Sequence, residues 1–213
     1  MAVDDRRATD RSRYDFWLFD LDGTLVTIED AYVQRTMAKV GDRLGTSFDP
    51  ETARRIWYGR TGLRDAELRT AGVDPERFWS TFHRVESPAD RAAATSLHPD
   101  AHVVNHLTGP RGLVTHCQPY LTEPILDRLG LGACFDAVVC CSDELGWKPD
   151  PAPVRLAMDA LGVDGGRGVL VGDSRADVEA AANAGLDGIL VARDGRVPPS
   201  TAARVVPSLD ALR

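Results

Sequence analysis

Apolar residues in this chain gather in five short runs, at positions 14–19, 112–114, 135–140, 169–171 and 188–191, broken only by Asp15 and Asp136 near the starts of two of them. Continuous runs of this length, rather than alternating ones, predict strands buried on both faces, as in a parallel sheet covered by helices. The segments between most of them are long enough to carry a crossover helix. Two helices announce their own ends. Pro153 opens the stretch 154–161 and Gly162 closes it, while Ser174 precedes 175–184 and Gly185 follows. The pattern therefore predicts an α/β fold built on a doubly wound parallel sheet.

The interval from about 27 to 95 reads differently. Ala31, Met37, Val40 and Leu44 fall near helical spacing, and further helical pieces are expected to start around Pro50, Leu63 and Pro75. No strand is predicted there. The division that follows is a core of residues 1–27 and 96–213 interrupted by an all-helical insert, 28–95, with Leu97-His98-Pro99-Asp100 as the return linker.

Composition narrows the function. The 213 residues are 43% hydrophobic, enough for a buried core, with a formal charge of −7 and a pI near 5.2. That charge argues against nucleic acid or an anionic membrane as partner. No apolar run approaches the roughly 20 residues that span a bilayer, and the first 13 residues lack an apolar signal segment, so a cytoplasmic protein is expected. The four cysteines, Cys117, Cys134, Cys140 and Cys141, form no C-x-x-C pair and read as free buried thiols. His98, His102 and His106 recur every four residues, which would align them on one helix face, and are read as a surface face rather than a zinc site.

The chemistry lies at the ends of the predicted strands. Asp20 and Asp22 follow the first run, Thr115 ends the second, Lys148 follows the third after a loop, and Asp173 ends the fourth. In open α/β sheets the crevice outside the carboxyl ends of the strands is where ligands bind. Three carboxylates, a hydroxyl and an ammonium there suit a hard divalent cation plus an anionic group, and phosphoryl transfer is the chemistry such a set serves. Asp177 is read two ways, as part of this set and as the second half of a capping box with Ser174. Within the insert, Trp57-Tyr58-Gly59-Arg60-Thr61-Gly62 breaks helical patterning, so Arg60 is a candidate to grip a carboxylate or second phosphate on a leaving group. Phe78, Trp79 and Phe82 are expected to be core of the insert.

Taken together, Asp20-Leu21-Asp22-Gly23-Thr24, Leu113-Val114-Thr115, Lys148-Pro149-Asp150-Pro151 and Gly172-Asp173-Ser174-Arg175-Ala176-Asp177 resemble, in order, the four motifs of the haloacid dehalogenase superfamily, nearest its phosphoglycolate-phosphatase-like branch. The resemblance implies a sheet order of 5-4-1-2-3 and a helical cap inserted after the first motif. It implies that Asp20 is the nucleophile that becomes an aspartyl-phosphate and that Asp22 is the acid and base. Thr115 and Lys148 would hold the phosphoryl oxygens, beside Gly23 and Thr24. His116 stands where the family often has a small or amide residue, and it is read either as a substrate contact or as a side chain that faces solvent. Mg²⁺ would be bound by Asp20, the Asp22 backbone carbonyl and Asp173, with Asp177 holding a metal-bound water. Members that displace halide lack an aspartate at the position of Asp22, so the implied substrate is a small phosphorylated metabolite, phosphoglycolate among the possibilities. A phosphomutase of the β-phosphoglucomutase type would use the same core. A phospho-accepting receiver domain is disfavoured because its lysine comes last, whereas here an acid cluster follows Lys148. The chain is expected to act as a monomer or homodimer.

Overall fold

The computed structural model describes residues 14–59, 64–163, 166–193 and 201–213. Its strands in chain order are β1 (Phe16–Phe19), β2 (Val26–Ile28), β3 (Thr95–Leu97), β4 (Arg111–Thr115), β5 (Ala137–Cys140), β6 (Gly168–Gly172), β7 (Asp187–Val191) and β8 (Arg204–Val206). Helices α1 (Asp30–Leu44), α2 (Pro50–Tyr58), α3 (Arg64–Thr70), α4 (Pro75–Val85) and α5 (Pro88–Ala93) lie between β2 and β3. Helices α6 (Pro119–Leu129), α7 (Ala152–Ala160) and α8 (Arg175–Ala184) connect the strands of the large sheet.

All pairs in that sheet are parallel, and its order is β5-β4-β1-β6-β7-β8. The five strands expected from the apolar runs take the predicted order, with β8 added outside β7. Burial explains why the central run is unbroken. Phe16 and Leu18 pack on one face with Leu170, Val154 and Ala180, while Trp17 and Phe19 pack on the other with Leu113, Leu121 and Ile125. Successive side chains of a strand point to opposite faces, so a strand covered on both sides has no polar position to spare.

Two expectations are corrected. The ends of the insert are not purely helical: β2 and β3 pair antiparallel, from Val26↔Leu97 to Ile28↔Thr95, as a two-stranded ribbon where the chain leaves and rejoins the core. Three residues per strand are too few to produce a periodic signal. The histidines do not share an α-helix face either. Ala101–His106 is a 3₁₀ turn that excludes His98, and the Nδ1 of His102 lies 2.9 Å from the Pro99 carbonyl. Within that turn His102 and His106 still approach edge-on, 6.1 Å between ring centroids, and His98 lies outside it.

The insert has its own apolar cluster, with Val33, Met37, Val40, Ile56, Phe78 and Phe82 buried in it and Trp79 packed against it. Helices α2, α4 and α5 each begin with a proline behind an Asp or Ser side chain that accepts a hydrogen bond from a backbone N–H of the first turn. All four cysteines are free, three of them buried. Among the described residues no helix is long and apolar enough to cross a membrane.

A buried clamp closes the fold behind the first motif. Asp100 accepts from the Arg193 guanidinium at 2.6 and 2.9 Å and from the Leu209 amide at 2.7 Å. Arg193 also donates to the Thr24 carbonyl at 2.9 Å, so one ion pair joins the return linker, the chain end and the loop after β1. Burial would raise the Asp100 pKa, but the hydrogen bonds from Arg193 and the Leu209 amide outweigh it and hold the carboxyl below its ordinary value. The pair's stabilisation is therefore present above the ordinary carboxylate pKa and fades as pH falls through the lower, folded one. Asp100→Ala is expected to cost about 2–3 kcal/mol in urea unfolding at pH 7, less than a fully buried pair because the Arg193 side chain is 25% exposed. The gap from the parent protein should shrink as pH drops below about 4; a gap independent of pH would show that the ion pair is not its source.

Candidate active site

The parallel register fixes where the strands end. Phe19 sits opposite Leu113 of β4 and Val171 of β6, and the Asp20 amide donates to the Val171 carbonyl at 2.9 Å. Asp20, Thr115 and Asp173 thus emerge within two residues of one another along a single sheet edge. Thr115 is buried, and its hydroxyl accepts from the Cys117 amide at 3.0 Å. Lys148 reaches this edge from the loop after β5, and Asp177 reaches it from the first turn of α8.

Lys148 binds them together. Its ammonium lies 2.7 Å from Asp20 Oδ1 and 2.6 Å from Asp177 Oδ1, and it donates to the Val114 carbonyl at 2.8 Å. The contacts to Asp20 and the Val114 carbonyl are hydrogen bonds, and that to Asp177 is an ion pair. Asp177 Oδ2 accepts from the Ser174 amide at 3.0 Å and from the Ser174 hydroxyl at 2.5 Å, and the Ser174 hydroxyl in turn accepts from the Asp177 amide. Both readings of Asp177 hold at once: it completes the capping box and belongs to the site. The Thr24 hydroxyl, fully buried, makes a long 3.4 Å contact to Asp20 Oδ2.

Asp20, Asp173 and Asp177 each offer an oxygen within 4.8 Å of the others, and all three are buried. Three carboxylates against one ammonium leave an excess of buried negative charge. Burial pushes the Asp20 carboxyl up to about 8, Asp177 and Asp173 push the same way, and Lys148 opposes them. Lys148 itself stays an ammonium, since Asp177 and Asp20 raise its pKa against the effect of burial. Closely spaced hard oxygens with surplus negative charge are a donor set for a divalent cation. Two glycines make the room. Gly23 has φ +86°, and a Cβ there would meet Asp173 Oδ2 at 2.4 Å; a Cβ on Gly172 would meet the Asp177 Cβ at 2.3 Å.

Asp22 lies apart from this cluster. Its two oxygens are 2.9 and 2.8 Å from a single nitrogen, Nη2 of Arg91 in α5. His116 packs edge-on against Trp147 at 5.5 Å between ring centroids, and its buried Nε2 has no hydrogen-bond partner among the described residues. Burial, then the charges of Lys148 and Arg64, hold this imidazole well below its ordinary pKa and hence neutral. Arg60 lies outside the described residues.

Arg64 is a site residue that the sequence reading missed. It opens α3, donates to the Trp57 carbonyl at 3.0 Å, and has its guanidinium 5.7 Å from the Trp79 ring. Burial lowers its pKa, and the carboxylates of Asp22, Asp20, Asp173 and Asp177 pull the other way, so the guanidinium is within electrostatic range of the site acids. Among the described residues no carboxylate lies within ion-pair distance of it. Arg91 was missed as well. The available signal was one arginine among Ala89, Ala92, Ala93 and Ala94, a setting in which small neighbours let a long cation be buried.

Comparison with known proteins agrees with this geometry. Residues 15–185 match the model of the haloacid dehalogenase-like hydrolases. A phosphoglycolate phosphatase of Agrobacterium fabrum is 32% identical over 81% of this chain and 78% of its own length. The plasmid-borne phosphoglycolate phosphatase of Cupriavidus necator is 33% identical over 92% and 90%. The crystal structure of a HAD phosphatase from Thermococcus onnurineus superposes with a TM-score of 0.65 at 25% identity, over 93% of this chain and 96% of that one. The chain belongs to the haloacid dehalogenase-like hydrolases, in their phosphoglycolate-phosphatase-like branch.

Proposed function

We propose that this phosphoric monoester hydrolase acts on a small phosphorylated metabolite through an aspartyl-phosphate on Asp20, with Mg²⁺ in the acid cluster and the helical insert serving as a cap. The observation that carries the reading is the buried Asp20 carboxylate at the end of β1, oriented by Lys148 at 2.7 Å beside two further acids. A carboxylate with one oxygen tied to an ammonium and the other only lightly held presents the free oxygen as a nucleophile.

The balanced reaction has two halves. Asp20 attacks phosphorus, the ester P–O bond breaks, and Asp22 gives its proton to the departing oxygen. Asp22 then takes a proton from water as the water oxygen attacks the phosphoryl group, the bond from phosphorus to Asp20 breaks, and orthophosphate leaves. Asp20, Asp173 and the Asp22 backbone carbonyl would hold Mg²⁺, with Asp177 beside them. The cation supplies charge neutralisation for the phosphoryl oxygens. Lys148, paired with Asp20, would share that work, with Thr115, Gly23 and Thr24 at the neighbouring loop ends.

Arg64 and His116 bear on substrate class. A partly buried guanidinium with no carboxylate partner among the described residues, within electrostatic reach of a neutral imidazole, suits a leaving group that carries its own anion and a hydroxyl or carbonyl. This supports a carboxylated or second-phosphate ester over a plain alkyl one.

Asp20→Asn is expected to lower kcat by at least about 10³-fold with any monoester, because an amide is no nucleophile toward phosphorus; retained turnover in a phosphate-release assay would remove Asp20 from that role. EDTA should abolish activity and excess Mg²⁺ restore it, and turnover undiminished by chelation would rule the cation out. Arg64→Ala should raise KM about tenfold for an ester with an anionic leaving group while leaving p-nitrophenyl phosphate nearly unchanged. Equal changes for both would take Arg64 out of substrate recognition.

A further inference from the structure

Arg91 is buried, 3% exposed, in a six-residue helix of the insert's return path. A buried arginine needs a counter-charge and a fixed seat, and this one has both. Its Nη2 serves the two oxygens of Asp22 at 2.9 and 2.8 Å, and its guanidinium carbon lies 5.0 Å from the Trp57 ring centroid on α2. Nη1 comes no nearer than 3.8 Å to Glu86, the residue that ends α4. Burial pushes Glu86 up to about 7 against the pull of Arg91, which leaves Asp22 as the principal counter-ion of the guanidinium. The seat itself is anchored: the Arg91 carbonyl accepts from the Thr95 hydroxyl at 2.7 Å, where β3 begins.

We propose that Arg91 is a positioning residue for the leaving-group proton transfer, acting through Asp22, with Trp57 of the insert as the shelf that sets its guanidinium. This inference rests on the reading of Asp22 as the acid and base. The geometry suits both halves of the reaction. Because one nitrogen serves both oxygens, the carboxyl keeps one oxygen on Arg91 whether or not it bears a proton, and the other is free to face the ester or the water. Asp22 is only two residues from Asp20 but takes no part in the Lys148 cluster, so nothing on the core side among the described residues fixes its rotamer. An unheld carboxyl would spend most of its time turned away from the departing oxygen.

The test reads kcat/KM for phenyl phosphate and p-nitrophenyl phosphate, which have similar shapes but leaving groups that differ in their need for a proton. Asp22→Asn should lower the phenyl ester about 10²-fold more than the nitrophenyl ester. Arg91→Met should open the same gap, about tenfold, with Arg91→Lys smaller because it keeps the charge but not the planar fork. In an Asp22→Asn background Arg91→Met should add no further gap, as expected of two residues acting on one step. The ratio of the two substrates does not depend on the folded fraction, so a partly unfolded preparation still reports. Equal loss on both esters in Arg91→Met and Arg91→Lys, with the gap present in Asp22→Asn, overturns the role of Arg91 alone. No gap in Asp22→Asn overturns the acid role of Asp22, and that of Arg91 with it.

Discussion

One ammonium group holds three separate stretches of chain to a single point. Lys148 donates to Asp20 after β1 and to the Val114 carbonyl in β4, and it pairs with Asp177 in the first turn of α8. Removing that charge would leave acids buried without a partner, and the penalty for an uncompensated buried charge is several kcal/mol. The polar contents of the crevice are therefore also part of what keeps its walls together. The surplus negative charge that remains after Lys148 is counted is what a divalent cation would relieve.

The sheet was legible because its strands are buried on both faces. A run such as Phe16-Trp17-Leu18-Phe19 with no polar break has few alternatives once helices cover both sides, and polar residues immediately after such runs must then collect on one edge. Asp20, Thr115, Lys148 and Asp173 were found this way. The Asp100–Arg193 clamp and the β2–β3 ribbon were not legible, since each depends on pairings across many residues that leave no local period. Arg64 and Arg91 failed for another reason. Both sit on short insert helices, where a lone arginine reads as a solvated surface charge, and only the packing of Trp57 and Trp79 turns these two inward.

Where the insert joins the core matters as much as what it contains. Asp22 forms a bridge with Val26, the first residue of β2, and Thr24 is held through its carbonyl by Arg193. The loop carrying both proposed catalytic acids is thus the same strand of polypeptide that leads into the helices. Gly23, with its positive φ, makes the turn between them possible without a side chain intruding on Asp173.

Asp20 and Asp22 consequently have different anchors despite their proximity. Asp20 is tied to the sheet edge through Lys148, and Asp22 is tied through Arg91 to Trp57 on α2. Two carboxylates with opposite duties need different surroundings, one kept as a nucleophile and one able to carry a proton. A conventional way to separate them is burial of one and exposure of the other. Here the anchors differ as well: on the proposed roles, the nucleophile is held by a lysine of the core, and the proton carrier by an arginine on α5, whose neighbour Ala92 packs in the core cluster while the guanidinium rests on Trp57 of α2. A change in how Trp57 packs on Arg91 would then reach proton transfer before it reaches attack on phosphorus.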